Sequence, residues 1–231
     1  MNKYLSDFVA LFYPDLCVGC SSALPRGVQH ICVKCRYDLP KTNNHKLEID
    51  SLNHKFQNIV DIKQLLAFCY YQKGGIFQEI IHHLKYENKP ELGRMLGRWY
   101  ADELLGADQD YCFDLVIPVP LHPSKRKKRG YNQAEQISEG FSPLFKSRLV
   151  PEALLRVKDE RSLTGLGRIE RIKGLSETYL LNEATGSELK GKHLLLVDDV
   201  MTTGSTLIAC YHALATAKPE SISFLVLGAA Q

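Results

Sequence analysis

The chain has 231 residues, 45% of them apolar, with 16 Gly and 10 Pro, which suffices for a sizeable core and excludes fibrous, collagen-like and intrinsically disordered classes. Lys and Arg total 29 against 26 Asp and Glu, a net +3, but five of those cations are consecutive: Lys125, Arg126, Lys127, Lys128 and Arg129. Without that run the count is 24 against 26, so the basicity is local and a protein that coats nucleic acid over its whole surface is excluded.

At the N-terminus Leu5, Phe8, Val9 and Phe12 fall at helical spacing and predict a short amphipathic helix. The segment lacks a basic n-region with a long apolar run behind it. Nowhere does the chain approach the roughly 18 apolar residues of a membrane helix, so no membrane span and a cytoplasmic location are expected.

Seven cysteines follow, an odd number that suits a disulfide framework poorly. Cys17, Cys20, Cys32 and Cys35 form a C-x2-C-x11-C-x2-C pattern, in which each pair presents two thiolates to one ion through a tight turn. Reduced thiols in the cytosol favour a metal, and a four-sulfur site favours a structural Zn2+. Cys69, Cys112 and Cys210 stand in apolar surroundings and are expected to be small buried residues.

Composition divides the chain into an N-terminal helix and zinc knuckle (1–45), a polar, irregular connection (46–61) and an α/β domain (62–231). In order, the domain is expected to hold a strand at Leu65–Tyr71, helices at Ile76–Tyr86 and Leu92–Leu104, a buried strand at Asp114–Leu121 and a helix at Tyr131–Phe145. A fully apolar strand at Leu194–Val197, a helix at Ser205–Thr216 and a last strand at Ser221–Leu227 complete it. Strands alternating with helices predict a parallel sheet. The basic run reads as a loop over the sheet edge.

The most informative stretch is Leu194–Thr206. An apolar strand delivers Asp198 and Asp199 to the sheet's carboxyl edge. The turn Thr202, Thr203, Gly204, Ser205 and Thr206 then offers hydroxyls, backbone N–H groups and a helix N-terminus to a phosphate dianion. Carboxylates beside a phosphate must face hydrogen-bond donors, and paired ribose hydroxyls fit. Phosphate at one end and a diol at the other describe a ribose 5-phosphate. Neither G-x-G-x-x-G nor G-x4-G-K-[ST] occurs, which excludes dinucleotide and P-loop sites of those kinds.

This stretch resembles the phosphoribosyl pyrophosphate signature of type I phosphoribosyltransferases. With the cysteine quartet, Ile80–Tyr86, Asp114–His122 and Lys128–Glu135, it resembles the ComF/GntX family of competence-associated proteins across almost the whole chain. The resemblance implies a type I phosphoribosyltransferase-like sheet flanked by helices, with a small four-Cys zinc knuckle. It implies that Asp198 and Asp199 hold ribose hydroxyls and that Val200, Met201 and Thr202–Thr206 surround the 5-phosphate. Pro120, Leu121 and His122 would form the pyrophosphate loop, with Mg2+ bridging the leaving group. The segment departs from the family at Glu160 and Leu163, where Thr and Gln are usual, while Leu166 and Arg171 fit.

Lys85 reads either as a pyrophosphate contact or as a helix cap. Arg129, beside the Gly130–Gln133 motif, is assigned to the site with Asp198 and Asp199, and Lys125, Arg126, Lys127 and Lys128 to a candidate nucleic-acid patch. Two functions stand. One is a phosphoribosyltransferase-like protein of competence and DNA uptake with an unidentified acceptor. The other is a non-catalytic protein that binds phosphoribosyl pyrophosphate, single-stranded DNA and other competence proteins.

Overall fold

The computed structural model describes residues 13–46, 52–158 and 178–230. The expected N-terminal helix and the positions of Glu160, Leu163, Leu166 and Arg171 lie outside them. Five strands pair in the order β1-β7-β6-β2-β3, every pair parallel: β1 Leu65–Tyr70, β2 Leu115–Pro118, β3 Arg148–Leu149, β6 His193–Met201 and β7 Ser221–Ala229. A separate antiparallel ribbon pairs β4 (Leu154–Arg156) with β5 (Tyr179–Leu181).

Parallel strands covered on both faces read as continuous apolar runs because alternate side chains enter two cores. Leu195 and Val197 of β6 enter one core with Leu225 and Leu227 of β7. Leu194 and Leu196 enter the other with Phe224 and Val226. The first core is closed by α2 (Ile76–Tyr86), α3 (Pro90–Leu105) and α5 (Gln133–Phe141), and by the knuckle residues Cys17, Val18, Ile31 and Cys35, the last on the short helix α1 (Val33–Tyr37). The second is closed by α7 (Ser205–Ala215), by Leu189 of α6 (Glu183–Leu189) and by the β4–β5 ribbon.

Helix α2 buries Phe77, Ile80, Ile81 and Leu84, one stripe of a 3.6-residue period. Helix α3 starts at Pro90, where the missing N–H costs nothing. It crosses α5 at backbone contact: a Cβ at Gly97 would lie 2.1 Å from the Ile137 carbonyl oxygen, and one at Gly140 2.0 Å from that of Arg94. Only glycine permits that approach.

Several expectations need correction. The basic run is not a loop but helix α4, Pro123–Arg129, begun by a proline at its first turn and closed by Gly130 in the left-handed region (φ +83°). Cys112 is exposed, whereas Cys69 and Cys210 are buried as expected. The helix expected from Tyr131 begins at Gln133, because the Asn132 side chain caps it by accepting from the Ala134 N–H at 3.1 Å. Described residues of the expected connection (46–61), and Asn44 just before it, pack on the sheet. Asn44 bridges β1, donating to Leu65 O at 2.7 Å and accepting from Ala67 N at 3.1 Å, while Leu52 and Phe56 are buried in the second core. Strands β3, β4 and β5 and helix α6 were not anticipated.

Candidate functional site

The site grows from a difference in length between neighbouring strands. Strand β6 pairs with β7 as far as Met201, opposite Ala229, but with β2 only to Val197, opposite Pro118. One further bond, Val119 N–H to Val197 O at 2.8 Å, precedes Pro120, which has no N–H to donate. From β2 the chain continues into α4 and α5 on one side, and from β6 into α7 on the other. The crevice between the two carboxyl ends is thus the switch point where ligands bind in open α/β sheets.

A polar cavity of about 250 Å³ fills that crevice. It brings together Lys85, Pro120, Leu121, Arg129, Asp198, Asp199, Val200, Thr202 and Thr206 of the expected site. Lys125, assigned to the nucleic-acid patch, also lines it: in a helix Lys125 and Arg129 are four residues apart and share a face. Arg126 and Lys127 turn instead to an adjoining cavity of about 960 Å³, with Leu154, Leu155 and Val157 on its far wall. Lys128 lines neither. His122 lies outside the smaller cavity and caps α4, accepting from Ser124 N–H at 3.3 Å. Met201 is buried in the second core, and Thr203, Gly204 and Ser205 form the turn behind the cavity wall. There Thr203 and Ser205 hydroxyls meet at 2.8 Å, and Gly204 adopts φ +77°, with the Phe56 ring 2.9 Å from where a Cβ would stand.

Strand alternation separates the two carboxylates. Asp199 turns towards α2, where the Lys85 ammonium lies 3.0 Å from its Oδ1. Burial works against the Lys85 charge, but Asp199, its hydrogen bond and Asp198 outweigh it and hold the ammonium above its usual pKa. Asp198 turns the other way, and burial together with the Asp199 charge pushes its carboxyl up to about 7. The Arg129 guanidinium lies 5.4 Å from the centre of the Tyr86 ring and donates to Gln133 Oε1 at 2.8 Å.

Sequence reading missed Arg156 and Tyr179 as site residues. They pair across β4 and β5, and the guanidinium lies 5.3 Å from the ring centre as both line the cavity. Nothing local marks them: a three-residue ribbon carries no periodic signal.

The cysteine quartet lies apart from this cavity, against α2. All four sulfurs lie within 4.8 Å of one another, and Cys20 and Cys32 are 3.8 Å apart. Bonds of about 2.3 Å to a central ion would give tetrahedral edges of about 3.8 Å. Backbone N–H groups of Gly19 and Cys32 donate to Cys17 Sγ, at 3.4 and 3.3 Å. A hydrogen bond with Ser22 lowers the Cys20 thiol to about 6, and burial pushes Cys35 up. The described residues contain no disulfide, and the quartet can hold a metal ion.

Residues 116–230 match the phosphoribosyl transferase domain family, which defines the class: a type I phosphoribosyltransferase fold. The DNA utilization protein YhgH of Escherichia coli is 27% identical over 201 residues, covering 86% of this chain and 83% of that protein. Competence protein F of Haemophilus influenzae is 31% identical over 55% of this chain and 57% of its own length. Competence protein ComFC of Bacillus subtilis is 24% identical over 94% of this chain and 86% of its own. The chain belongs to the ComF family. Among the described residues no helix is long and apolar enough to cross a membrane.

Proposed function

We propose that the chain binds phosphoribosyl pyrophosphate with Mg2+ in the sheet-edge cavity, transfers the phosphoribosyl group to an acceptor, and acts in competence and DNA uptake. The knuckle carries one structural Zn2+. The observation that carries this reading is a single polar cavity where Asp198, Asp199, Thr202 and Thr206 meet Lys85, Lys125, Arg129 and Arg156. The role in DNA uptake rests on the names of the relatives.

Transfer at C1 of a ribose needs no covalent nucleophile from the protein. It needs the pyrophosphate neutralised as it leaves and the sugar fixed while positive character develops at C1. Lys85, Lys125, Arg129 and Arg156 supply cationic charge for the first task. For the second, the Asp198 and Asp199 carboxylates accept from the ribose hydroxyls, and the turn opening α7 offers hydroxyls and N–H groups to the 5-phosphate. Bound Mg2+ adds countercharge on the pyrophosphate oxygens; two neighbouring carboxylates suit a cation that takes one or two protein oxygens and fills its shell from phosphate and water.

The second reading, a non-catalytic protein that binds phosphoribosyl pyrophosphate, single-stranded DNA and competence proteins, draws on the adjoining cavity. Arg126 and Lys127 on one side and Leu154, Leu155 and Val157 on the other offer cations for a backbone and apolar surface for bases. Incubation with phosphoribosyl pyrophosphate, Mg2+ and a panel of nucleobases decides between the readings. Pyrophosphate release with one of them supports transfer; ligand retained on the protein with no release supports the second reading.

A further inference from the structure

We propose that Lys85 is a built-in countercharge: it holds Asp199 in the ligand-free protein and leaves it for the pyrophosphate on binding, so that a divalent cation loads only together with that anion. The proposal rests on the phosphoribosyl pyrophosphate reading and gives one residue of that site a second duty.

Three observations converge on it. The ammonium is 3.0 Å from Asp199 Oδ1, with side-chain exposures of 21% and 13% for the lysine and the aspartate, so water screens the pair only partly. Lys85 and Asp199 line the same small cavity, so the ammonium stands where a cation on that carboxylate would have to go. Lys125, Arg129 and Arg156 line it too, so a bare divalent cation meets four positive groups and only two carboxylates, one of them already taken.

A cation accompanied by pyrophosphate brings its own negative charge. Lys85 then has a better partner than Asp199, and the freed carboxylate can turn to the ribose hydroxyls or the cation. One lysine thereby couples recognition of the diol end to recognition of the leaving group. A helix-capping role would predict no such coupling.

The test uses Mn2+ in place of Mg2+, with free Mn2+ read by electron paramagnetic resonance on the zinc-loaded full chain. The Lys85→Met protein should bind Mn2+ alone on the order of tenfold more tightly than the wild type, because a repelling charge at contact distance has gone. It should also bind inorganic pyrophosphate more weakly. Lys85→Arg, which keeps the charge, should behave as the wild type towards Mn2+. Equal Mn2+ affinities for wild type and Lys85→Met overturn the proposal. If Lys85→Met does not fold, Asp199→Asn reads the contact from the other side: Lys85 should then react faster with an amine-labelling reagent, located by mass spectrometry, and an unchanged rate overturns the proposal. None of these readouts uses phosphoribosyl pyrophosphate. A protein with the Mn2+ effect that fails to bind that ligand loses the proposed function and keeps the countercharge.

Discussion

The knuckle and the sheet-edge cavity are both clusters of chemically kindred groups, yet they are assembled in opposite ways. All four thiols arrive between Cys17 and Cys35, the first pair placed by a tight turn and the second by the first turn of helix α1, which Cys32 caps. The cavity draws on α2, α4, α5, the β4–β5 ribbon and the β6–α7 turn, so its walls meet only when the sheet has formed. The knuckle also shares a core with α2 and α3, whereas Asp198 and Asp199 project where β2 has ended. Loss of the knuckle should therefore be felt as instability, and changes in the cavity mainly as lost binding.

The largest expected effect follows from that contrast. Removing zinc by chelation or by Cys17→Ser should forfeit on the order of 10 kcal/mol of apparent free energy from the knuckle. Hydrogen exchange should then accelerate at Ile80 and Ile81, which pack in the same core. Elemental analysis finding no stoichiometric zinc in reduced protein would show that the knuckle is not a zinc site.

Next in size is Gly204→Ala, the point where the cavity depends on packing. Its φ of +77° disfavours a side chain, and the Phe56 ring would stand 2.9 Å from the new Cβ. A loss of about 2–3 kcal/mol in denaturant unfolding is expected, against about 1 kcal/mol for Gly27→Ala, a conformational cost without a clash. Gly27 shares the left-handed backbone (φ +80°) but has nothing within 4 Å. Equal losses would mean that Phe56 does not brace the turn.

Asp198→Asn and Asp199→Asn should each weaken phosphoribosyl pyrophosphate binding by about 1–3 kcal/mol, the worth of one charge-assisted hydrogen bond. Their effects on stability should have opposite signs. Because the Asp198 carboxyl is raised to about 7, the folded protein holds that proton more tightly than the unfolded chain. The resulting stabilisation is complete below the unfolded pKa and is lost as pH rises through 7. Asp198→Asn should therefore raise the Tm more at pH 8 than at pH 5. Asp199→Asn should lower it by leaving Lys85 without its 3.0 Å partner. Thermal melts at the two pH values check both signs.

The smallest effect concerns the segment linking knuckle to sheet. His45 is 5% exposed; burial lowers its pKa, helped by Lys46 and Lys41 and opposed by Glu103. A depressed histidine disfavours the charged form in the folded state, so stability should decline as pH falls through about 6.5, the unfolded value. His45→Leu should flatten that decline, and an unchanged slope of Tm against pH would assign the acid sensitivity elsewhere.

Legibility in the sequence followed assembly. The quartet was readable because metal-ligand spacing is a local property. So were the β6 run and its turn, since two carboxylates and four hydroxyls around one glycine occupy a few consecutive residues. Lys85 was ambiguous because its partner lies 114 positions away. Arg156 and Tyr179 were silent because a two-stranded ribbon brings them to the cavity, and the basic run was misread because a seven-residue helix with five charges carries no apolar period. Its helical state is what splits the cations, turning Lys125 and Arg129 one way and Arg126 and Lys127 the other.

The ligand-holding roles proposed for Asp198 and Asp199 require phosphoribosyl pyrophosphate to sit in the sheet-edge cavity. Calorimetric titration of that ligand, with Mg2+, into the zinc-loaded protein tests it most directly. Saturable binding at one site per chain is expected, weakened in both Asp198→Asn and Asp199→Asn. Absence of binding to the folded wild type, or binding that neither substitution alters, would contradict it.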